Sequence, residues 1–196
     1  MSKFRLFATL LVVALCATTI FTSCRNDDDD NGGTFEIRAT NVSGNTGRIV
    51  TVKAETYEEW LTVGEAPFQN NGFTLRLINE VPTSFLYPID DKGEGFTISD
   101  RSARYVETGL FAYDRDGNII GSFSFINERE NETFEARWIY VDRDVTITGT
   151  RYGTTYNLNL RRGWNTYYSY WNESTNASRH TTQRPSGANL RWYFED

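Results

Sequence analysis

The sequence predicts an all-β fold, an antiparallel two-layer β-sandwich, on three observations. Aromatic residues make up 15% of the chain while Met occurs once and Pro four times, a bias toward β-forming side chains. Several short runs between positions 136 and 171 alternate side chains with period two, the mark of strands. Clusters of Asp, Asn and Gly separate the runs along the chain, as turns require. A closed β-barrel with a ligand cavity is the alternative arrangement of the same strands. With 196 residues, 39% of them apolar, the chain is long enough for a single well-cored domain, predicted over residues 34–196.

Residues 1–23 read as a processing segment rather than as structure. Lys3 and Arg5 form a positive start, and the apolar run 6–21 is too short and too broken by Thr for a membrane-spanning helix, which needs about 20 apolar residues. Phe21-Thr22-Ser23-Cys24 resembles the lipobox of bacterial lipoproteins, with Phe21 where Leu is usual. The resemblance implies cleavage before Cys24 and attachment of lipid to its thiol, the membrane contact of the mature chain. A plain secretory signal with a free Cys24 is the other reading. Cys16 falls in the removed segment, so lipidation of Cys24 leaves no pair for a disulfide and stability rests on the core.

Residues 24–33 form a tether, in which Asp27, Asp28, Asp29 and Asp30 are followed by Asn31-Gly32-Gly33, a segment with nothing to bury. Without a turn to make them converge, the four carboxylates do not supply the ordered oxygen cage a divalent cation needs. An acidic run just after the lipidated Cys resembles the surface-export signal of Bacteroidota lipoproteins. It implies display on the outer face of the outer membrane, the periplasmic face being the alternative. The formal net charge is −6, and loss of Lys3 and Arg5, the only charges before Cys24, takes it to −8. That balance argues against nucleic acid and anionic lipid as partners.

In the domain, Phe35, Ile37 and Ala39 alternate with Glu36, Arg38 and Thr40, and Val50, Val52 and Ala54 share one face of the next run. The turn 43–47 between them predicts a first hairpin. Thr56 with Glu59 fits a capping box and predicts one or two turns of helix carrying Trp60 and Leu61. Phe73, Leu75 and Leu77 mark an inward strand face, and 82–95 reads mostly as loop. Asp114-Arg115-Asp116-Gly117-Asn118 between apolar runs is the strongest hairpin signal in the chain. As a calcium loop it fails: Gly117 comes fourth, and Phe125 stands where a bidentate acid belongs.

Ala136, Trp138 and Tyr140 fall on one side of a strand and Arg137, Ile139 and Val141 on the other, so this strand is expected to be covered on both faces. Asp142-Arg143-Asp144 reads as a turn before the β-branched run 145–148. Tyr156, Leu158 and Leu160 alternate with polar neighbours, and Gly153 and Gly163 are expected to close tight reversals. The Ser-, Thr- and Asn-rich run 172–188 is expected to be a long loop. Leu190, Trp192 and Phe194 define one face of a last strand.

The phrases Asn71-Gly72-Phe73-Thr74-Leu75, Tyr113-Asp114-Arg115-Asp116-Gly117-Asn118, Tyr140-Val141-Asp142-Arg143-Asp144-Val145-Thr146-Ile147 and Gly163-Trp164-Asn165 resemble small surface lipoproteins of the Bacteroidota. The family implies a β-sandwich over most of the mature domain, has no established activity and transfers no catalytic residue.

Catalytic chemistry has little to stand on. The single His, His180, lies in the expected loop, the mature chain lacks the clustered His and Cys of a zinc site, and no Gly-rich loop opens a helix. No cofactor is indicated. A glycan-acting hydrolase needs only two facing carboxylates, and Asp142 and Asp144 are the nearest pair, although turn chemistry explains them. Aromatic residues are the more informative surplus. If Trp164, Tyr168 and Tyr170 face the core, Tyr167 and Trp171 share the other face with Asn165, and Tyr193 lies on the last strand. These rings are candidate binding residues for a glycan or an envelope protein. The competing explanation is that both faces of the strand are covered and the rings are packing. The expectation is a non-catalytic envelope protein that binds or supports; a carrier of a small apolar ligand is a further alternative.

Overall fold

The computed structural model describes residues 34–89, 95–129 and 131–196. The signal segment, Cys24 and the run Asp27, Asp28, Asp29, Asp30 lie outside the described residues, as does 90–94. In chain order the strands are β1 (Glu36–Ala39), β2 (Thr51–Thr56), β3 (Thr62–Pro67), β4 (Phe73–Arg76), β5 (Tyr87–Pro88), β6 (Phe96–Ile98) and β7 (Arg104–Tyr113). They continue as β8 (Ile119–Arg129), β9 (Glu132–Val141), β10 (Val145–Arg151), β11 (Thr154–Leu160), β12 (Gly163–Asn172), β13 (Ala177–Thr181) and β14 (Arg191–Glu195). The all-β expectation is met.

Three strands form the centre. The first half of β7 pairs with β9, from Tyr105 opposite Val141 to Thr108 opposite Trp138, and its second half pairs with β8, from Leu110 opposite Phe123 to Tyr113 opposite Ile119. β8 and β9 pair with each other only beyond that point, from Phe125 opposite Ala136 onward. The three ladders therefore meet at Gly109, Ser124 and Arg137. β5 and β2 line the outer edge of β7, β3 follows β2, and β14 lines the outer edge of β8. β12 runs along the whole of β9, and the sheet continues through β13, β11, β10 and β6. Its end strands, β3 and β6, pair with different neighbours, so the sheet is open and the barrel alternative falls.

Layers follow from the period-two faces. The separate β1–β4 pair covers one face of the large sheet, burying Ile37, Ala39, Phe73 and Leu75 against Val52, Val106, Leu110, Trp138 and Trp192. Rings carry this core: Trp138 and Trp192 stack at 5.9 Å and 3°, Phe125 stacks on Trp192 at 4.7 Å, and Phe73 meets both Trp192 and Phe123 edge-on. A second core lies on the opposite face of β9 and β12. There Ile139, Val141 and Tyr167 pack against Val145, Ile147, Leu158 and Leu160, because β10 and β11 fold back over them. Strand β9 is covered on both faces, as its two apolar sets predict.

Local turn chemistry reads out well where the partner is the next run in sequence. The β7–β8 turn is tied by Asp114, whose Oδ1 accepts from the N–H groups of Asp116 and Asn118, and Gly117 takes φ +80°. β10 and β11 form a hairpin through Tyr152 and Gly153.

Elsewhere non-local partners win. The expected first hairpin does not form, because β1 pairs with β4 and β2 with β3 and β7. The 43–47 segment turns a corner instead, with Ser43 exchanging backbone bonds with Trp192 and Phe194 of β14. No helix opens at Thr56. Thr56 ends β2, its N–H donates to Leu61 O and its Oγ1 accepts from Leu61 N–H, closing a tight turn; a helix this short has too few bonds to offset its nucleation. Gly163 has φ +98°, yet β11 and β12 are not paired, and β12 crosses to lie between β9 and β13. The expected loop 172–188 contains β13, antiparallel to β12 and parallel to β11, so the sheet is mixed rather than purely antiparallel.

Trp164 is 9% exposed, stacks edge-on with Tyr140 at 5.5 Å and donates from Nε1 to Ile78 O at 2.8 Å. Trp164→Ala is expected to cost about 3–5 kcal/mol, whereas Trp171→Ala, at a 40% exposed ring, is expected to cost less than about 1 kcal/mol. Denaturant melts of the two variants check the contrast.

Candidate functional site

Alternation places the sequence-predicted rings on one face of the large sheet. In β12, Trp164, Tyr168 and Tyr170 turn toward the first core or its extension, and Tyr167 and Trp171 turn the other way. Tyr193 is opposite Ser124, whose neighbours Phe123 and Phe125 pack toward the first core, so it too faces away from that core. The three are not equivalent. Tyr167 is 4% exposed, which corrects the expectation of an open ring: β10 and β11 roof that end of β12, and Tyr167 is packing plus a hydrogen-bond donor. Trp171 is exposed, and Tyr193 is half-buried on β14 across β8.

Around Tyr167 the strands assemble a polar cluster. Glu107 on β7 accepts from Tyr167 Oη at 2.7 Å. Arg137 on β9, directly opposite Tyr167, holds Glu135 Oε2 with Nε at 2.8 Å and Nη2 at 2.7 Å. One row nearer the strand ends, Glu135, Ser169, His180 and Tyr156 stand in register across β9, β12, β13 and β11. His180 lies on the face of Tyr156 at 5.3 Å and against Tyr167 at 5.6 Å. The Arg137 side chain keeps 42% of its surface open and Glu135 keeps 29%. This is a half-open patch at the rim of the second core.

Burial pushes the Tyr167 phenol well above its ordinary range and Glu107 adds to this, with Arg137 pulling the other way. Arg137, which burial alone would push down, is held above its usual value by Glu135, Tyr167 and Glu107. His180 is lowered by burial and then by the Arg137 charge.

The arrangement is not that of a nucleophilic triad. Ser169 stands between Glu135 and His180, whereas a triad puts the imidazole between acid and hydroxyl, and Glu135 is committed to Arg137. The Asp142 and Asp144 pair serves turns. Asp142 Oδ1 accepts from the Arg104 N–H at 2.9 Å, and Asp144 Oδ1 accepts from the Arg162 N–H at 2.8 Å. Among the described residues no group of three or more His, Cys, Asp or Glu is placed to hold a metal ion. A depression of about 390 Å³ lies elsewhere, lined by Arg38, Thr40, Gln69, Asn70 and Thr74, and it contains no carboxylate or imidazole.

Sequence reasoning did not find Glu107, Glu135 or Arg137, and set His180 aside as a loop residue. Their signal is faint: Glu135 and Arg137 sit two apart in a strand of mixed composition, and Ser178 and His180 alternate within a run read as loop. No family model matches this chain, and neither the curated proteins nor the solved structures compared with it give a match.

His180 is the single His of the chain, and burial and the Arg137 charge lower it from the usual 6.5. Its folded-state value is depressed, so its contribution to stability is present above about pH 6.5 and is lost as pH falls through the lower folded value. His180→Phe keeps a ring between Tyr156 and Tyr167 and cannot titrate. Its stability is expected to vary less between pH 7 and 5.5 than that of the parent, read by urea melts across that range.

Proposed function

We propose that this chain is a non-catalytic binding module of the cell envelope, anchored through lipid at Cys24 and displayed on the outer membrane surface, and that its partner is a glycan. The observation that carries the reading is the half-open Arg137–Glu135 pair, on the same sheet face as the exposed ring of Trp171 and beside Glu107 and Tyr167. Sugars present hydroxyls in flat rings with apolar C–H faces. Guanidinium and carboxylate groups suit the hydroxyls, and an open indole suits the apolar face. The commitments of Glu135, Asp142 and Asp144 to Arg137 and to turns support binding over hydrolysis. The anchor is supported by the sequence before residue 34: the positive start, the apolar run and Cys24, followed by four Asp. No helix among the described residues is long and apolar enough to cross a membrane.

Arg137→Ala is expected to weaken glycan binding by roughly 10- to 100-fold, the range expected for losing a charge-assisted hydrogen bond. A glycan array followed by calorimetry on the parent and the variant measures it; capture of an envelope protein with no sugar bound would replace the glycan by a protein partner. Cys24→Ala is expected to abolish palmitate labelling and release the protein from membranes with an unchanged melting temperature. Persistent labelling and sedimentation with membranes would overturn the anchor.

A further inference from the structure

Outside the cluster, the turn between β2 and β3 holds Tyr57 and Trp60 at 53% and 54% exposure. Trp60 has φ +53°, a left-handed conformation that is costly for a bulky side chain and that its own burial does not offset. The turn is held in place by several bonds. Thr56 N–H donates to Leu61 O at 3.0 Å, Trp60 N–H donates to Thr56 O at 3.2 Å, and Leu61 N–H donates to Thr56 Oγ1 at 3.1 Å. Glu55, 5% exposed, braces the base of the turn by accepting from Thr62 Oγ1 at 3.0 Å and Tyr113 Oη at 2.6 Å. A strained, exposed and well-braced indole is built to be presented.

The turn also points at the cluster already described. Gly109 carries no side chain, and a Cβ there would come within 2.9 Å of the Tyr57 ring, so that ring lies directly over the place where β7, β8 and β9 meet. Arg137 occupies the same junction, and the Tyr57 hydroxyl, the covered end of an otherwise exposed side chain, is raised by desolvation, with Arg137 lowering it and Glu107 and Glu135 raising it. Phe111 backs both rings, 6.4 Å from Tyr57 and 5.3 Å from Trp60. At the other end, Trp171 stands opposite Thr133, four residues along β9 from Arg137. At about 3.4 Å per residue that is about 14 Å, more than one sugar ring can bridge.

We infer that the site is an extended one, in which a linear oligosaccharide of several uncharged sugars lies along β9 from the Tyr57–Trp60 turn to Trp171, with its middle hydroxyls on Arg137, Glu135 and Glu107. The inference rests on the glycan reading above and adds length and charge. Length follows from ring platforms at both ends. Neutrality follows from the carboxylates of Glu107 and Glu135 beside the half-open Arg137, on a chain of net charge −6, a field that repels polyanions.

The full chain in detergent micelles, titrated with neutral gluco-, xylo- and manno-oligosaccharides of one to six units and with a galacturonate hexamer, tests this by tryptophan fluorescence and calorimetry. At least one neutral series is expected to bind on the order of tenfold more tightly as hexamer than as dimer, and Trp60→Ala and Trp171→Ala are each expected to remove that gain. Gly109→Ala, which displaces the Tyr57 ring without deleting it, is expected to weaken the hexamer alone; thermal melts confirm that each variant folds. Affinity independent of chain length, indifference to Trp60→Ala, or preference for the galacturonate hexamer would overturn the extended neutral site while leaving the glycan reading standing. Failure of every saccharide to bind would overturn both.

Discussion

Three strands that each pair with the other two cannot lie in one flat sheet, and the rest of the molecule follows from that constraint. β7 enters between β8 and β9, takes β9 as partner for its first half and β8 for its second, and so splits the sheet at Gly109, Ser124 and Arg137. On one side of the split β8 leads to β14; on the other β9 leads to β12 and on to β10 and β11. The β1–β4 pair then fills the space over one face, while β10 and β11 close over the other, giving β9 and β12 a core on each side. The same split leaves a place where the ladders change partner. There the backbone comes close enough for the Tyr57 ring to rest on Gly109, and a charged residue, Arg137, remains at the rim.

Stability without a cystine has to come from burial, since both Cys residues precede residue 34. The first core meets that need with connected rings set among a larger number of buried aliphatic side chains. Trp138, Trp192, Phe125, Phe73, Phe123 and Phe194 form a continuous set at 4.7–5.9 Å. Rings bring large buried area for little lost rotamer freedom, and offset and edge-on contacts add specificity that aliphatic packing lacks. Polar groups taken inside are mostly bonded, as in Thr108 Oγ1 to Glu55 O at 2.9 Å and Trp164 Nε1 to Ile78 O.

What the sequence made legible was local. The Asp-Gly turn, the β10–β11 hairpin, the last strand and the doubly covered β9 could all be read because each depends on period two and on neighbours close in the chain. Pairings across long separations could not be read, and β1 with β4, β9 with β12 and the parallel β11–β13 contact are of that kind. The site divides the same way. Alternation put Tyr167 and Trp171 on one face, but whether that face is roofed depends on β10 and β11 folding back. Tyr167 is therefore buried where the local pattern alone suggested an open ring. Glu107, Arg137 and His180 come from β7, β9 and β13, brought together by long-range pairing, and nothing in their spacing announces it.

Protonation within the cluster bears on binding against chemistry. Catalytic acids and bases work best with pKa values near the working pH, so active sites tune them toward neutrality. Here the resolved shifts run away from it. Burial lifts the phenols of Tyr57 and Tyr167 further above 10, burial and the Arg137 charge hold His180 below 6.5, and Arg137, although partly buried, is raised by Glu135 and stays charged. At neutral pH these four groups are fixed as two phenols, one neutral imidazole and one guanidinium. A surface with fixed donors and acceptors and little proton traffic is suited to recognising hydroxyls by hydrogen bonds.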